Sequence, residues 1–555
     1  MPEKAFSICI KVSVFIDPAC GSGNFLTETY LSLRRLENDV LRLKTNQITL
    51  DITNPVEVSI SQFYGIEIND FAVTVAKTAL WIAESQMLKE TEDIIQASLD
   101  FLPLKSYANI VEGNALRIDW NEVIPKYDLN YIMGNPPFLG ARIMSKEQKD
   151  DILSVFGKIK GVGNLDYVSG WYIKAANYID DTTIRCAFVS TNSITQGEQP
   201  AILWKPIIEK GIKIDFAWRT FKWNSEASEK AAVHCVIVGF SDKLVKTDKV
   251  LYYNEQQYNL VENINAYLVE APDIFVLPRK KPVSNVPSVD FGSMPNDKGY
   301  LCNFSDEDKN IIIKKYPKSE KMFKQFVGAT EFLHNTVRWC LWLVGISPSE
   351  IKDVPPVFEA VNNVRDVRKS SSREATRKLS LTPTLFGEIR QPEDDYIIIP
   401  RHSSENRRYI PMGYMSKDVI CGDANCLLPH ANLYYFGVLM SNVHNAWVRA
   451  VCGRLEMRYR YSNTIVYNNF PWPTPTPDQK TKIEQTAQAI LDARALYPDS
   501  SLADLYDEVT MPPELRKAHQ ANNRAVWEAY GRIWDIKSES SCVAELMKMY
   551  QELVK

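Results

Sequence analysis

The sequence predicts an α/β fold for residues 1–255, a mostly parallel sheet with helices on both faces. Short β-rich runs alternate there with helical stretches, and this alternation is typical of parallel sheets. Residues 256–475 contain frequent prolines, aromatic residues and arginines, and they predict a mixed α/β domain. Residues 476–555 predict a C-terminal helical segment. The chain is therefore expected to contain three domains.

Seven stretches of the first domain are predicted strands because they are short, apolar and rich in β-branched or aromatic residues. They are residues 13–16, 63–68, 108–113, 129–134, 185–191, 213–218 and 233–240. The last stretch follows its predecessor after a short connection, which favours antiparallel pairing. Between the second and third strands, Val75, Ala79 and Ile82 recur at helical spacing and predict a helix.

Prolines mark predicted element boundaries in the second half of the chain. A proline-rich hinge is predicted at residues 468–479, "NNFPWPTPTPDQ". Helices are predicted at residues 481–496 and 511–533, and the second begins with Pro512 and Pro513, whose fixed φ suits a first helical turn.

The composition is that of an ordinary globular protein, with 45% hydrophobic and 24% charged residues. No apolar run approaches the roughly 20 residues of a membrane helix, and the apolar opening has no cleavage site, so a cytoplasmic protein is expected. The ten cysteines show no regular spacing, which indicates reduced thiols. Cys421, Cys426 and His430 lack a second ligand pair, so no metal is expected. Because the net charge is −4, nucleic-acid binding would need local basic faces.

A carboxylate and a glycine loop follow the first predicted strand. In "FIDPACGSGNFL", Asp17 ends the strand, Gly21 and Gly23 permit a tight turn close to a ligand, and a helix begins near Phe25. A phosphate loop would need a lysine after the glycines, and a dinucleotide fingerprint would need a glycine where Leu26 stands. The carboxylate favours the cationic cofactor S-adenosylmethionine, and a merely structural turn is the alternative.

Polar residues also end the next two predicted strands. Glu67 stands where an acidic residue commonly accepts hydrogen bonds from ribose hydroxyls, although it also fits a helix cap. Asn114 has an amide that can pair with an adenine edge, although it also fits a turn. Because such sheets bind ligands at the carboxyl ends of their strands, Asp17, Glu67 and Asn114 are predicted to hold one cofactor.

The fourth predicted strand runs into "GNPPF", residues 134–138. Two prolines cannot extend a helix or a central strand, so the chain must turn there. "DPACGSGNF" followed by "NPPF" resembles the amino-group DNA methyltransferases that use S-adenosylmethionine, specifically the adenine-N6 group. Longer stretches are similar to the MmeI-like type IIL restriction–modification proteins. These stretches are residues 338–343, 398–414, 441–473 and 511–520.

The resemblance implies a Rossmann-like class I methyltransferase sheet, a target-recognition domain and a C-terminal helical segment. It implies site-specific methylation of adenine N6 in double-stranded DNA, the activity of EC class 2.1.1.72. The oxygens of the Asn135 side chain and the Pro136 backbone would accept hydrogen bonds from the target amine. Pro137 completes the rigid turn, and Phe138 would stack on a flipped base.

The resemblance also extends the predicted site. The cofactor-binding residues would be Asp17, Ala19, Gly21, Gly23, Asn24, Phe25, Glu67, Ile68, Asn114 and Ala115. A second aromatic wall for the target base is expected at Trp223 or Phe221, either of which also fits a core position.

Two arginine-rich stretches of the second domain are predicted to bind DNA. Their candidate residues are Arg365, Arg368, Lys369, Arg373, Arg377, Arg454, Arg458 and Arg460. Charge runs are usually solvated faces, and several of these side chains would contact only phosphate. Others would fork onto guanine edges, each worth about 1–3 kcal/mol of discrimination.

Members of this family carry a long amino-terminal region with a nuclease and a helix that closes over the cofactor. Only 16 residues precede Asp17 here, so we expect no DNA cleavage by this chain and a separate polypeptide that supplies the N-terminal or nuclease part. Two alternatives stand beside the DNA methyltransferase. One is an N-methyltransferase acting on RNA or on protein glutamine, and the other is a non-catalytic DNA-binding remnant.

Overall fold

The computed structural model of the chain describes residues 13–45, 56–96, 98–99, 109–223 and 233–555. The chain forms two compact units, Met1–Phe275 and Val276–Lys555. The apolar opening, residues 1–12, lies outside the described residues, as do residues 224–232 beside the predicted aromatic wall. The three predicted domain boundaries stay predictions.

A nine-stranded mixed sheet organises the first unit. Its strands are β1 (Phe15–Asp17), β2 (Phe63–Glu67), β3 (Asn109–Glu112), β4 (Tyr131–Gly134), β5 (Arg185–Thr191), β6 (Ile212–Trp223), β7 (Val233–Asp242), β8 (Lys249–Asn254) and β9 (Gln257–Val261). The strand order is β3-β2-β1-β4-β5-β7-β6-β8-β9. The first five strands in this order run parallel to one another. Strand β7 pairs antiparallel with both β5 and β6, and the pairing with β6 is the one that the short connection predicted.

Helices cover both faces of this sheet, which confirms the predicted α/β class. They are α1 (Asn24–Thr45), α2 (Asp70–Ile95), α3 (Trp120–Val123), α4 (Lys146–Phe156), α5 (Ser169–Ile179) and α6 (Gln199–Glu209). Helices α1 and α2 share a core with Phe15 and Phe63. Helices α4, α5 and α6 share the opposite core with Ile16, Ile132 and Phe188. Successive strand residues alternate between the two cores, as strand geometry requires.

Helix α2 exists where the spacing predicted it, but it buries a different face. Val73, Ala76, Leu80 and Ala83 form its buried stripe, whereas Ile82 is 53% exposed. Both stripes have helical spacing, so the sequence alone could not choose between them. The helix packs this stripe against the core shared with α1, and Ala76 lies against the glycine loop, where a Cβ on Gly23 would stand 2.9 Å from the Ala76 Cβ.

Strands β8 and β9 were not predicted from the sequence. Strand β8 pairs parallel with β6, and β9 pairs antiparallel with β8, so together they extend one edge of the sheet. The run "KVLYYNEQQYNLV" has aromatic strand formers on either side of a polar turn, a signal that is typical of a hairpin.

The second unit begins with small sheets. Its strands are β10 (Asp290–Phe291), β11 (Phe323–Val327), β12 (Trp339–Leu341), β13 (Tyr396–Pro400), β14 (His402–Ser403), β15 (Gly413–Met415), β16 (Ile420–Cys421), β17 (Asn425–Pro429), β18 (Gly453–Leu455) and β19 (Arg458–Arg460). They form a four-stranded sheet in the order β10-β17-β13-β15 and two three-stranded sheets, β12-β11-β16 and β14-β19-β18.

Helices of the second unit fall into two groups. The first group, interleaved with the small sheets, is α7 (Asp306–Lys315), α8 (Ala329–His334), α9 (Pro348–Lys352), α10 (Pro355–Lys369), α11 (Glu374–Lys378), α12 (Leu433–Leu439) and α13 (Asn442–Val451). The second group ends the chain with α14 (Pro477–Ala495), α15 (Leu502–Leu505), α16 (Pro513–Ala529) and α17 (Glu539–Val554). Small sheets followed by terminal helices are the architecture that the sequence predicted.

The predicted proline-rich hinge is wrong for its first half. Asn469 and Phe470 are fully buried, and Trp472 is nearly so. The Asn469 amide donates to the backbone oxygens of Leu277, Thr464 and Ile465, which binds this segment into the second unit. Prolines here stop secondary structure without freeing the chain, because the intervening aromatic and amide side chains are buried and hydrogen-bonded.

Over its described residues the chain has no helix long and apolar enough to cross a membrane. The cysteines of the described residues are buried and free of disulfides, as expected for reduced thiols. Cys421 and Cys426 lie within strands β16 and β17, and His430 pairs instead with Asp394 at 2.7 Å. These three residues therefore do not converge on a common point.

Candidate active site and nucleic-acid interface

The candidate active site lies at the carboxyl edge of the large sheet. Strands β1 to β5 run parallel, so the residues that follow each of them meet at one edge. The chain leaves β1 towards β2 on one side, while β4 pairs with β1 on the other. Open α/β sheets bind ligands at such a reversal of strand order. The glycine loop after β1 and the Asn-Pro-Pro-Phe turn after β4 flank this point.

Asp17 is the buried acid at the centre of the edge. Its side chain is only 1% exposed, and its Oδ1 accepts a hydrogen bond from the Ala19 N–H at 2.9 Å. Burial raises the pKa of the Asp17 carboxyl to about 7, opposed by the Ala19 N–H and reinforced by the nearby Glu67. Asp17 therefore changes charge near neutral pH, and a cationic ligand would favour its ionised form.

The carboxylate of Asp17 packs against Gly134 of strand β4. A Cβ on Gly134 would lie 2.4 Å from Asp17 Oδ1, so no side chain fits there. The contact places the acid directly against the residue that precedes Asn135. The two predicted motifs, far apart in sequence, thus touch.

The glycine loop is braced by its neighbours. Gly21 has φ +53° and donates its N–H to Glu67 Oε2 at 2.9 Å. Gly23 has φ +82°, and a Cβ there would lie 2.9 Å from the Cβ of Ala76 on α2. On helix α5, Trp171 donates its Nε1–H to the Pro18 carbonyl at 2.9 Å. The loop therefore keeps one conformation that L-residues at the two glycine positions would rarely adopt.

Glu67, the predicted ribose ligand, also braces this loop. Its second oxygen accepts the Asn69 N–H at 3.0 Å, which fixes the start of α2. Next to it, Ile68 is 67% exposed, and Phe25 across the loop is 36% exposed. Exposed apolar side chains beside a carboxylate suit a ligand with both a planar apolar part and hydroxyl groups.

Asn114 belongs to a hydrogen-bond network of its own. Its amide donates to Asp151 Oδ2 at 2.9 Å, and its oxygen accepts the Leu116 N–H at 2.9 Å. Asp151 also accepts from Tyr167 and Arg117. One amide hydrogen is thus already engaged, and contact between Asn114 and an adenine edge stays a prediction.

Asn135 supplies the decisive feature of the turn after β4. Its side-chain Oδ1 is buried and has no hydrogen-bond partner among the described residues. Five other asparagine Oδ1 atoms of the described residues are also buried without a partner, and Asn135 differs from them in following β4, directly after the glycine that packs against Asp17. Pro136 is buried behind it, and Pro137 is exposed. The turn holds a free oxygen on a rigid backbone at the edge of the sheet.

The predicted aromatic residues take different positions. Phe138 is partly buried and packs against the core of the sheet. Phe221 and Trp223 end strand β6, and their ring centroids lie 6.2 Å apart. All three rings keep some exposed surface, and their stacking on a base stays a prediction.

In the second unit, Arg368 corrects a predicted DNA contact. The side chain is fully buried on α10, and its guanidinium donates to five backbone carbonyls at 2.8–3.1 Å. These carbonyls belong to Pro295, Asn296, Leu379, Thr382 and Leu385. Arg368 ties two segments, one at residues 295–296 and one at residues 379–385, to a helix, and it has no donor left for a phosphate. Three other basic residues of the stretch, Lys369, Arg373 and Arg377, are exposed.

The remaining basic residues of that stretch lie on or after α10. Lys369 and Arg373 are exposed, and Arg365 is half-buried with one bond to Asn362 at 3.1 Å. Arg377 is exposed and donates to the Ser371 and Ser372 carbonyls. For these four residues, which keep exposed surface, contact with DNA stays a prediction.

Strands β18 and β19 form a basic ribbon. Arg458 and Arg460 are exposed on one face, while Tyr459 between them is buried. His402 on β14 lies directly opposite Arg460, and partial burial, followed by the nearby arginines, lowers the pKa of His402. Arg454 stacks on the ring of Tyr459 at 4.4 Å. A twisted β-ribbon of this kind fits the major groove of DNA.

Sequence reasoning missed several residues around the turn. Asp151, Asp166 and Trp171 bond to the predicted motifs, and each lies before or within a helix where it reads as a cap or a core residue. Asn192, just after β5, has a buried Nδ2 without a partner among the described residues. Among these missed residues, only Asn192 directly follows a predicted strand, and that position is the one signal in the sequence that could have found it.

Comparison with known proteins now places the chain. Successive stretches match models of the MmeI DNA-methyltransferase domain at residues 4–253, the MmeI target recognition domain at 270–474 and the MmeI C-terminal domain at 475–555. The solved structure of the type IIL restriction-modification enzyme MmeI in complex with DNA is 45% identical, with a TM-score of 0.90. The chain belongs to the MmeI family.

This MmeI-family chain is also similar to DNA methyltransferase A of Bacillus subtilis (strain 168), with 42% identity over 542 residues. That match covers 97% of this chain and 61% of the relative, and the MmeI match covers 100% of this chain and 74% of MmeI. The chain therefore spans about three-fifths of its curated relative. The family predicted from the two motifs and the longer stretches is confirmed.

Proposed function

We propose that this chain is a site-specific DNA methyltransferase that transfers a methyl group from S-adenosylmethionine to adenine N6 in double-stranded DNA. The observation that supports this proposal best is the buried, unpartnered Oδ1 of Asn135 at the edge that also holds Asp17. Membership of the MmeI family, with its methyltransferase and target recognition domains, supports the reaction class and the DNA substrate.

The residues present at the edge fit S-adenosylmethionine. Asp17 offers a buried carboxylate to a cationic group, and the loop around Gly21 leaves open space where a Cβ would stand. Glu67 offers a partly exposed carboxylate to ribose hydroxyls, and Ile68 offers apolar surface to a base. When bound, S-adenosylmethionine supplies an electrophilic methyl group. Asp17, Gly21, Glu67 and Ile68 would hold it.

The chemistry of the chain itself centres on Asn135. The exocyclic amine of adenine is a poor nucleophile because its lone pair is delocalised into the ring. Asn135 Oδ1 and the Pro136 carbonyl would accept its two N–H bonds, which draws the nitrogen towards tetrahedral geometry. The two prolines restrict the backbone that carries both oxygens, and positioning and electrostatics are the proposed main contributions to the rate. After the transfer the methylated nitrogen carries a positive charge and is strongly acidic, so it releases a proton to water and a strong general base is not required.

Double-stranded DNA is the proposed partner of the second unit. The exposed arginines of the β18–β19 ribbon would read base edges or bind phosphate, and the exposed residues around α10 would bind phosphate. The separate nuclease-bearing polypeptide expected above stays a prediction, which co-purification from the host tests.

The proposed reaction is tested with labelled S-adenosylmethionine and plasmid DNA, followed by sequencing of the product for modified bases. Label in one adenine of one motif supports the proposal. Label in N4-methylcytosine corrects the target base, and label in RNA or in protein favours the alternative substrates. Sequence-selective DNA binding without any methyl transfer favours a non-catalytic DNA-binding protein.

Asp17→Asn is expected to weaken S-adenosylmethionine binding about 10- to 100-fold, because a charge-assisted hydrogen bond contributes about 1.5–3 kcal/mol. It is also expected to raise thermal stability at pH 8. A folded-state pKa of about 7 means that the wild-type chain loses stability as the pH rises from about 4 to 7, and asparagine has no such loss. Calorimetric titration and thermal unfolding at pH 5 and pH 8 measure both effects.

Asp39→Asn on α1 is the matched control for Asp17→Asn, because Asp39 is exposed and distant in sequence from the loop. It should change neither the cofactor affinity nor the pH dependence of unfolding. Unaltered cofactor affinity in Asp17→Asn, or a stability difference that shrinks as the pH rises, would contradict the role of Asp17.

Arg460→Ala is expected to weaken DNA binding about tenfold, because Arg460 is exposed on the basic ribbon beside Arg458. If Arg460 binds a phosphate, the salt dependence of binding falls by about one ion. Filter binding across a salt series measures both quantities. Arg524→Ala, an exposed arginine on α16, is the control. Equal affinity and slope for both variants and the wild type would remove the ribbon from the interface.

A further inference from the structure

Asp166 lies between three segments that border the candidate active site. The residue precedes α5, and its side chain is only 6% exposed. Its Oδ1 accepts the N–H of Leu139 at 3.0 Å. Its Oδ2 accepts the hydroxyls of Thr191 at 2.9 Å and Ser193 at 3.3 Å. One carboxylate thus joins the turn after β4 to the turn after β5.

The bond to Leu139 matters because Leu139 directly follows the Asn-Pro-Pro-Phe turn. Its carbonyl is fixed too, since it accepts the N–H of Tyr167 at 2.9 Å. Both backbone polar groups of Leu139 are therefore held by the chain just before α5. At the other end, Gly134 is fixed in strand β4. The turn that carries Asn135 is anchored on both sides.

Rigidity between these anchors carries the constraint to Asn135. Two consecutive prolines lock φ at two of the four positions from Asn135 to Phe138. With fewer backbone angles free to absorb it, a shift at Leu139 is expected to reach the Pro136 carbonyl and the Asn135 amide. Misplacement of a catalytic group by about 1 Å costs on the order of a hundredfold in rate.

The surroundings of Asp166 show that its carboxylate is suited to this task. Three hydrogen bonds satisfy its oxygens, and among the described residues it makes no ion pair. Its own N–H donates to Gln199 Oε1 at 3.3 Å on α6. The Thr191 and Ser193 hydroxyl oxygens also lie 2.7 Å apart, and because each hydroxyl has one hydrogen, two of the three contacts among Thr191, Ser193 and Asp166 Oδ2 are donated at a time. The carboxylate itself is oriented before it holds Leu139.

We propose that Asp166 is a positioning residue for methyl transfer, whose carboxylate fixes Leu139 and thereby the orientation of the Asn135 and Pro136 oxygens. This inference rests on the proposed function. Asp166 does not touch the reacting atoms, and it acts through the turn alone. Its loss should therefore lower the rate of methyl transfer and leave the binding of S-adenosylmethionine and DNA nearly unchanged.

The test compares Asp166→Ala with Asp166→Asn. Alanine removes the acceptor of the Leu139 N–H, and single-turnover methyl transfer should fall about 10- to 100-fold, with KM for both substrates within about threefold. Asparagine keeps an oxygen for Leu139, and the Thr191 and Ser193 hydroxyls can turn to accept from its amide, so it should restore most of the rate. Ser193→Ala is the control, since it leaves the Leu139 bond intact.

A second measurement does not depend on activity. Hydrogen exchange of a peptide containing residues 135–141 should speed up about tenfold or more in Asp166→Ala and return towards wild type in Asp166→Asn. Faster exchange with an inactive wild-type chain would show that Asp166 holds the turn, while rejecting the proposed function and with it the role in methyl transfer. Unchanged exchange and rate in Asp166→Ala would overturn the positioning role. Equal losses in rate, substrate binding and stability in both variants would also overturn it, since they indicate a purely structural residue.

Discussion

Replacing Asn135 with alanine is expected to lower the rate of methyl transfer at least about 100- to 1000-fold. The side-chain oxygen is one of two acceptors proposed for the target amine, and loss of one preorganised group of this kind costs about 2.7–4 kcal/mol. Binding of S-adenosylmethionine and DNA should remain within about threefold, because the oxygen acts on the amine alone. Single-turnover incorporation of labelled methyl groups, with separate binding titrations, measures this split.

The stability of Asn135→Ala separates catalysis from folding. Because Asn135 Oδ1 has no partner among the described residues, its removal leaves no other group unsatisfied. The thermal midpoint should therefore stay the same or rise. Asn130→Ala is the matched contrast, since Asn130 Oδ1 accepts the Val14 N–H at 2.8 Å and its loss should lower the midpoint. A catalytically competent Asn135→Ala variant would refute the proposed mechanism.

Replacing Arg368 with alanine is expected to destabilise the second unit by about 3–5 kcal/mol. The change strips five buried carbonyls of their donor and leaves a cavity, and each unsatisfied group costs about 1–3 kcal/mol before the loops relax. Thermal unfolding reports the loss. Hydrogen exchange should rise most at residues 293–299 and 379–387, which hold these carbonyls.

Lys369→Ala is the control for Arg368, because Lys369 is the next residue on α10 and is exposed. It should change stability by no more than about 0.5 kcal/mol, while lowering DNA affinity if this surface binds phosphate. Arg368→Lys should fall between alanine and wild type, since an ammonium cannot reproduce the planar fork of donors. Normal stability of Arg368→Ala with reduced DNA affinity would reinstate Arg368 as a DNA contact.

Much of the fold was predictable because strand and helix signals are local. The strand at residues 185–191 was predicted with its observed bounds, and the antiparallel β7 followed from a short connection. The face of α2 was not predictable in the same way. Val75 and Val73 both begin helical stripes, and the choice fell to packing against α1 and the glycine loop.

The basic stretch around α10 shows the same limit. In the sequence, Arg365, Arg368 and Lys369 are equivalent members of one charge run. The fold buries Arg368, because helical spacing turns it towards the loops that need a donor, and leaves Lys369 in water. Exposure depends on which loops pack over the helix, and those loops come from distant parts of the chain.

The chemistry that the edge of the sheet can support follows from the amino-acid sequence alone. Asp17 ends one strand, the glycines come after it, the Asn-Pro-Pro-Phe turn follows another strand, and parallel strands bring their carboxyl ends together. How these groups are held depends on the tertiary structure. Three features depend on distances between segments that are far apart in the chain. They are the contact between Asp17 and Gly134, the unpartnered oxygen of Asn135 and the hydrogen bond from Leu139 to Asp166. Such distances are set by packing and have no local signal in the chain.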